Sequence, residues 1–286
     1  MPRGIPKAGF RNRSGKVESY QVQQHVPKPD VYETDDEIVE KLTQRFAIID
    51  LMAKSACKGQ TRALIVSGPP GLGKSFTVEK SLQEYDPNEE KTVIAKGFMR
   101  ASGLYKLLYS YRHPGNVIVF DDCDSILFDQ DALNLLKSAC DTTDRRRICW
   151  GAETRMTDDE GAPLPWGFEF EGAIIFITNV DFEHSISQGS RSKEHFEAMI
   201  SRAHYIDTGM KSVRDYLIRI KQVCQQGMLR DRGISQFEER IILDFLFENH
   251  LKLRELTLRM VIKLAGVYQA NPQRWREIAK VTLFKQ

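Results

Sequence analysis

The chain has 286 residues, 41% of them hydrophobic, and a formal net charge of +2. That is enough apolar material for one large domain or two modest ones, and too little net charge to demand or exclude nucleic acid. No apolar stretch approaches the ~20 residues of a membrane span, and Met1-Pro2-Arg3-Gly4-Ile5-Pro6-Lys7 lacks the apolar segment of a secretory signal.

Five scattered cysteines (Cys57, Cys123, Cys140, Cys149, Cys224) form no C-x-x-C pair. They predict reduced thiols in a cytoplasmic protein rather than a disulfide framework or zinc site.

Residues 1 to about 30 carry Arg3, Lys7, Arg11, Arg13, Lys16 and Lys28 against Glu18 and Asp30, with recurrent Pro and Gly. The segment 1–34 therefore reads as an extended basic arm, either a solvated terminus or a contact for nucleic-acid phosphate or a partner. Asp35 or Asp36 then caps a helix through about Lys58, with Ile38, Leu42, Phe46, Ile49 and Leu51 as its apolar face.

Ala63-Leu64-Ile65-Val66 reads as a buried strand that runs into Gly68-Pro69-Pro70-Gly71-Leu72-Gly73-Lys74-Ser75, after which Phe76-Thr77-Val78 opens a helix. Strand, G-x-x-x-x-G-K-S and helix together predict a phosphate-binding loop. The glycines let backbone N–H groups turn inward on a triphosphate, and the helix N-terminus adds partial positive charge. Lys74 is expected to reach the β- and γ-phosphates, and the Ser75 hydroxyl to ligate Mg²⁺.

Thr92–Ala95 is a second predicted strand, and Ser102-Gly103 starts a helix through Tyr109. Asn116-Val117-Ile118-Val119-Phe120 is a third strand, ending in Asp121-Asp122. A carboxylate at that end lies beside the loop, so Asp121 is the candidate to hold Mg²⁺ directly or through water. Asp122 is the candidate to orient or deprotonate an attacking water.

A helix over Ala132–Ala139 and a run of Arg145-Arg146-Arg147 follow. Ile148–Gly151 and Trp166–Phe170 then read as the arms of a hairpin whose tip carries Arg155 with Asp158, Asp159 and Glu160. Ala173–Thr178 is an apolar strand ending in Asn179, which in a parallel sheet faces the loop's crevice and can bond the γ-phosphate or the attacking water. Lys193–Ser201 is helical, and the end of Ser201–Asp207 is a fifth strand. From Ser212 on there are four helical patterns (Val213–Val223, Phe237–His250, Leu253–Leu264, Gln273–Val281) and no strand.

The expected fold is an α/β phosphate-loop core over 35–210, with five parallel strands flanked by helices and a hairpin insertion near 147–171. A small all-helical lid over 211–286 follows it.

With these residues in this order, the chain from about Asp35 onward resembles the AAA+ ATPases. Gly68–Ser75 looks like Walker A, Val117–Asp122 like Walker B, and Thr178-Asn179 like sensor 1. Ser201-Arg202 resembles the arginine-finger position, with Arg191 as its understudy. Leu253-Arg254-Glu255-Leu256 is similar to the opening of the helix that carries sensor 2. The resemblance implies an ATP-hydrolysing homo-oligomeric ring, most often a hexamer, with ATP at each subunit boundary. In such a ring Arg202 reaches the neighbour's γ-phosphate and Arg254 acts within its own subunit.

Two features depart from the pattern. Asp121-Asp122 replaces the usual Asp-Glu, which makes slow hydrolysis or a relayed water an expectation. No clear aromatic-Gly pore loop stands between the second strand and Walker B; Phe98, after Gly97, is the nearest candidate and is expected to pack in the core.

The hairpin is similar to the pre-sensor-1 insertion of DNA motors, but its acidic tip would repel phosphate. Arg145–Arg147, Lys96 and Arg100 are the alternative basic surface. The texture also resembles compact ATPases of phages and mobile elements. Remodelling of nucleic acid or of a replication complex is the first expectation. A protein-remodelling chaperone and a non-hydrolysing ATP switch are the alternatives.

Overall fold

The computed structural model describes residues 33–151, 156–158, 160–189 and 193–286. The basic arm predicted over 1–34 lies outside these except for Glu33 and Thr34, as do Arg155 and Asp159 of the hairpin tip and Arg191.

Five strands form one parallel sheet: β1 (Ala63–Ser67), β2 (Thr92–Lys96), β3 (Val117–Asp121), β6 (Ala173–Thr178) and β7 (His204–Asp207), in the order β2-β3-β6-β1-β7. The three inner strands β1, β3 and β6 are buried at every position. Their unbroken apolar runs are what a sheet covered on both faces requires.

Successive side chains alternate between two cores. Leu64, Val66, Val119 and Ile175 pack with α1 (Asp35–Cys57), α2 (Lys74–Tyr85) and the C-terminal helices. Ile65, Phe120, Ile174 and Phe176 pack with α3 (Ala101–Ser110) and α4 (Gln130–Ala139). Each such side chain contributes about 1.5–3 kcal/mol by leaving water. The edge strands β2 and β7 are only partly buried.

β4 (Arg147–Cys149) and β5 (Gly167–Glu169) pair antiparallel as the predicted hairpin, and Thr157 bridges Pro163 further out. The arginine run entering it is not uniformly exposed. Arg146 is buried over the Phe170 ring and donates to Ala139 O at 2.8 Å, whereas Arg145 and Arg147 face solvent. Phe98 also departs from expectation. It is 75% exposed, because Gly97 at φ +90° turns the chain outward after β2.

After the short α5 (Phe182–Ser187) and α6 (Lys193–Ile200), four more helices complete the compact unit 35–286. They are α7 (Val213–Gln225), α8 (Gln236–Glu248), α9 (Leu258–Ala270) and α10 (Trp275–Leu283). Capping boxes Ser212/Asp215 and Ser235/Glu238 start α7 and α8.

The helix predicted from Leu253 begins instead at Leu258. Leu253 bridges Phe284, and Arg254 N donates to Leu283 O at 3.1 Å, so this stretch is held extended by the C-terminus. Thr257 then caps α9, accepting from Met260 N. No helix among the described residues is long and apolar enough to cross a membrane.

Candidate functional site

The strand-to-helix connection from β1 to α2 wraps a cradle at the C-terminal end of the sheet. Gly68 allows it because a Cβ there would stand 2.0 Å from the buried Thr208 Oγ1. Gly73 sits in the left-handed region at φ 103° and caps α2 with no side-chain bond to the helix, which leaves the first N–H groups of α2 without a side-chain cap.

Lys74 is only 5% exposed and donates to Gly68 O at 2.7 Å, Pro69 O at 2.8 Å and Asn179 Oδ1 at 3.1 Å. Burial pulls its ammonium down to about 8, against Asp122 and Asp121, which hold it up; Arg259 adds to the lowering.

Ser75 Oγ donates to Asp121 Oδ1 at 2.8 Å, and the Lys96 ammonium lies 3.0 Å from Asp121 Oδ2 while also pairing with Glu79 at 2.8 Å. A serine hydroxyl and a carboxylate oxygen in contact are the hard oxygen donors Mg²⁺ takes, with waters and phosphate completing its shell. The residues fit that ion.

Asp122 follows in the left-handed region at φ 55°, its N–H on Ile177 O at 3.1 Å. A non-glycine residue there stores about 1–3 kcal/mol of strain unless its surroundings impose it. Asn179 Nδ2 supplies one constraint, donating to Asp122 Oδ1 at 2.9 Å. Asn179 thus touches Lys74 and Asp122 at once. It is held there because β6 lies between β1 and β3 and because Thr178 Oγ1 donates to Asp124 Oδ1 at 2.6 Å.

A cavity of about 890 Å³ opens over the loop, walled by α1, α2, α7 and α9. Pro70, Gly71, Gly73–Phe76, Asp122 and Asn179 line it.

Arg254 is not among the lining residues. Its Nε donates to Phe284 O at 3.0 Å on the surface. Arg259, one residue into α9, lines the cavity in its place. Leu258 N donates to Gly71 O at 2.8 Å and fixes that turn on the loop. Arg202 also lies outside the cavity, its Nη1 on Ala198 O at 2.9 Å and its Nε 3.7 Å from Asp141.

Sequence reading missed Asp124, Arg219 and Arg259, and gave Lys96 to a basic surface where the structure pairs it with Asp121. Only Arg259 had a usable signal, a threonine cap two residues before it.

No family model matches the chain. In sequence it is 31% identical over 254 residues to an uncharacterised 36.7 kDa protein of the nrdC-mobD intergenic region of Enterobacteria phage T4, covering 87% of this chain and 77% of that protein.

In structure it is similar to NtrX from Brucella abortus in complex with ADP (12% identity, TM-score 0.46, 85% of this chain and 51% of that one). It is similar also to the S. cerevisiae Hsp104-ADP complex (11%, TM-score 0.43, 86% and 40%) and to C. elegans PCH-2 (15%, TM-score 0.39, 84% and 67%). The chain spans about half the length of the NtrX chain and less of Hsp104.

Proposed function

Given that the chain belongs to the family of the phage T4 36.7 kDa protein and carries the AAA+ fold, we propose that it binds ATP with Mg²⁺ over Gly68–Ser75 and hydrolyses it. The observation that carries this reading is the linked set of Lys74, Asn179 and Asp122, beside Ser75 on Asp121, at one cavity mouth.

The α2 N-terminus and Lys74 meet the phosphates with fixed positive charge. Ser75 and Asp121 would hold Mg²⁺, which when bound neutralises charge on the β- and γ-phosphate oxygens. Asp122 orients the attacking water and accepts its proton. Asn179 holds that carboxylate and can pass its amide to the γ-phosphate or the water.

Arg259 takes the role within the subunit that the sequence had given to Arg254. Arg202, held by the Ala198 carbonyl, a long bond to Ser201 Oγ and a long ion pair with Asp141, is the residue for a neighbouring subunit's phosphate in a homo-oligomeric ring, a hexamer. Its contribution to turnover would be ~10³–10⁵.

The work done with ATP is assigned to nucleic acid or a replication or recombination complex, on the basic residues of segment 1–34 and the exposed Arg145 and Arg147. The exposed Phe98 favours a second reading, remodelling of polypeptide, because an aromatic left in water on a loop is available to grip a chain.

Lys74→Ala is expected to abolish ATP binding, and unchanged affinity sinks the assignment. ATPase rates with single-stranded DNA, duplex DNA and unfolded polypeptide separate the two targets. Stimulation by DNA that falls steeply with salt supports the first. Stimulation by polypeptide alone, lost in Phe98→Ala, supports the second. No turnover under any condition leaves an ATP-dependent assembly switch.

A further inference from the structure

Arg219, on α7, is 6% exposed and lines the nucleotide cavity. Its guanidinium lies 3.5 Å over the Phe46 ring of α1. Nε donates to Leu72 O at 3.3 Å, and Nη1 donates to Gln222 Oε1 at 2.7 Å, whose own amide is tied to Thr43 Oγ1 at 2.6 Å. Nη2 stands 3.3 Å from where a Cβ on Gly73 would be.

Every one of these partners is neutral. Among the described residues no ion pair joins Arg219 to a carboxylate. Of the three acids lining the cavity, Asp50 is engaged by Ser81 and Lys54, Asp122 by Asn179, and Asp231 forms no ion pair with Arg219. Burial alone pulls the guanidinium down to about 10.

A buried cation without a counter-charge is costly, and proteins keep one where a ligand supplies the missing charge. The position identifies that charge. The group rests against Leu72 and Gly73, in the turn whose N–H groups face the phosphates, and one face is already covered by Phe46.

We propose that Arg219 is a nucleotide-binding residue that offers its free N–H edge, from α7 and in the same subunit, to the phosphate chain of the bound nucleoside di- or triphosphate. This rests on the ATP-binding reading above and adds to it a third cation, beside Lys74 and Arg259, on the wall built by α7. Because α7 carries it, bound phosphate also holds that helix against α1 and the loop. The recognition is of charge common to ADP and ATP rather than of the γ-phosphate.

Arg219→Met keeps a long apolar side chain on Phe46 and removes the charge. Calorimetric titration should show ADP and ATP affinity falling about tenfold to a hundredfold, with adenosine affinity within about twofold of wild type because the lost contact is to phosphate. The thermal midpoint of the nucleotide-free variant should equal or exceed that of wild type, since an uncompensated charge has gone, while the rise on adding ADP shrinks. Arg219→Lys, which keeps charge but not the fork, should restore part of the affinity.

Unchanged ADP affinity with a lower nucleotide-free midpoint would make Arg219 a structural brace and overturn the proposal. Equal losses for adenosine and ADP would make it a base contact and overturn it too. Wild-type protein that binds no nucleotide would sink the ATP reading itself, whereas wild-type binding unaltered in Arg219→Met sinks only this assignment.

Discussion

On the proposed ATP-binding reading, Lys74 is held charged for phosphate at the expense of the protein, and the size of that expense follows from its titration. The folded-state value of about 8 lies below the ordinary 10.5. Folding therefore disfavours the charged form, and the penalty is full below about pH 8 and fades as pH rises toward 10.5. Between pH 7 and pH 10 the lysine should add ~2.5 kcal/mol to unfolding stability in the absence of nucleotide, close to a 1 M shift in urea midpoint.

Buried thiols work the other way over the same range. Burial pushes Cys57 and Cys123 up to about 11, so the unfolded chain loses those protons first and stability falls as pH rises. The comparison that isolates Lys74 is thus wild type against Lys74→Met, each unfolded in urea from pH 7 to 10. The wild-type curve should climb relative to the variant across that interval. Parallel curves would refute the claim that the ammonium is held at a cost.

Asp122→Asn should leave ATP affinity intact and lower turnover by ~10²–10⁴, read in a phosphate-release assay; undiminished turnover would remove Asp122 from water activation. Gly68→Ala places a methyl 2.0 Å from Thr208 Oγ1, which should cost about 1–3 kcal/mol in denaturant unfolding and weaken ATP binding. An unchanged midpoint would show that Thr208 yields freely. Arg259→Ala should slow turnover at least tenfold where Arg254→Ala stays within about twofold, and the reverse order would restore Arg254 to the site.

The fold was legible because its inner strands are short apolar runs bounded by glycine and polar residues, a pattern that needs no tertiary information. The cluster of Lys74, Ser75, Asp121, Asp122 and Asn179 was legible because parallel strands deliver their C-terminal residues to one edge. Arg254 misled because Leu253, Leu256 and Leu264 have helical spacing, while the competing pairing with Phe284 lies thirty residues away. Arg146 and Arg219 share a different obstacle. Nothing local distinguishes a solvated arginine from one laid on an aromatic ring, and both rings (Phe170 and Phe46) come from other elements. Phe98 misled in the opposite sense, since its hydrophobicity argues for burial and only the turn at Gly97 sends it outward.

The bond from Leu258 N to Gly71 O joins the loop to the start of α9 through one peptide group. The 13 residues of α9 extend from that joint as a rod of about 20 Å. A tilt of about 5° where it meets the loop swings its far end by roughly 2 Å. Gly71 is therefore a fulcrum as well as a wall. A bend of the loop by a fraction of an ångström would be amplified along α9 and delivered at the opposite end of that helix.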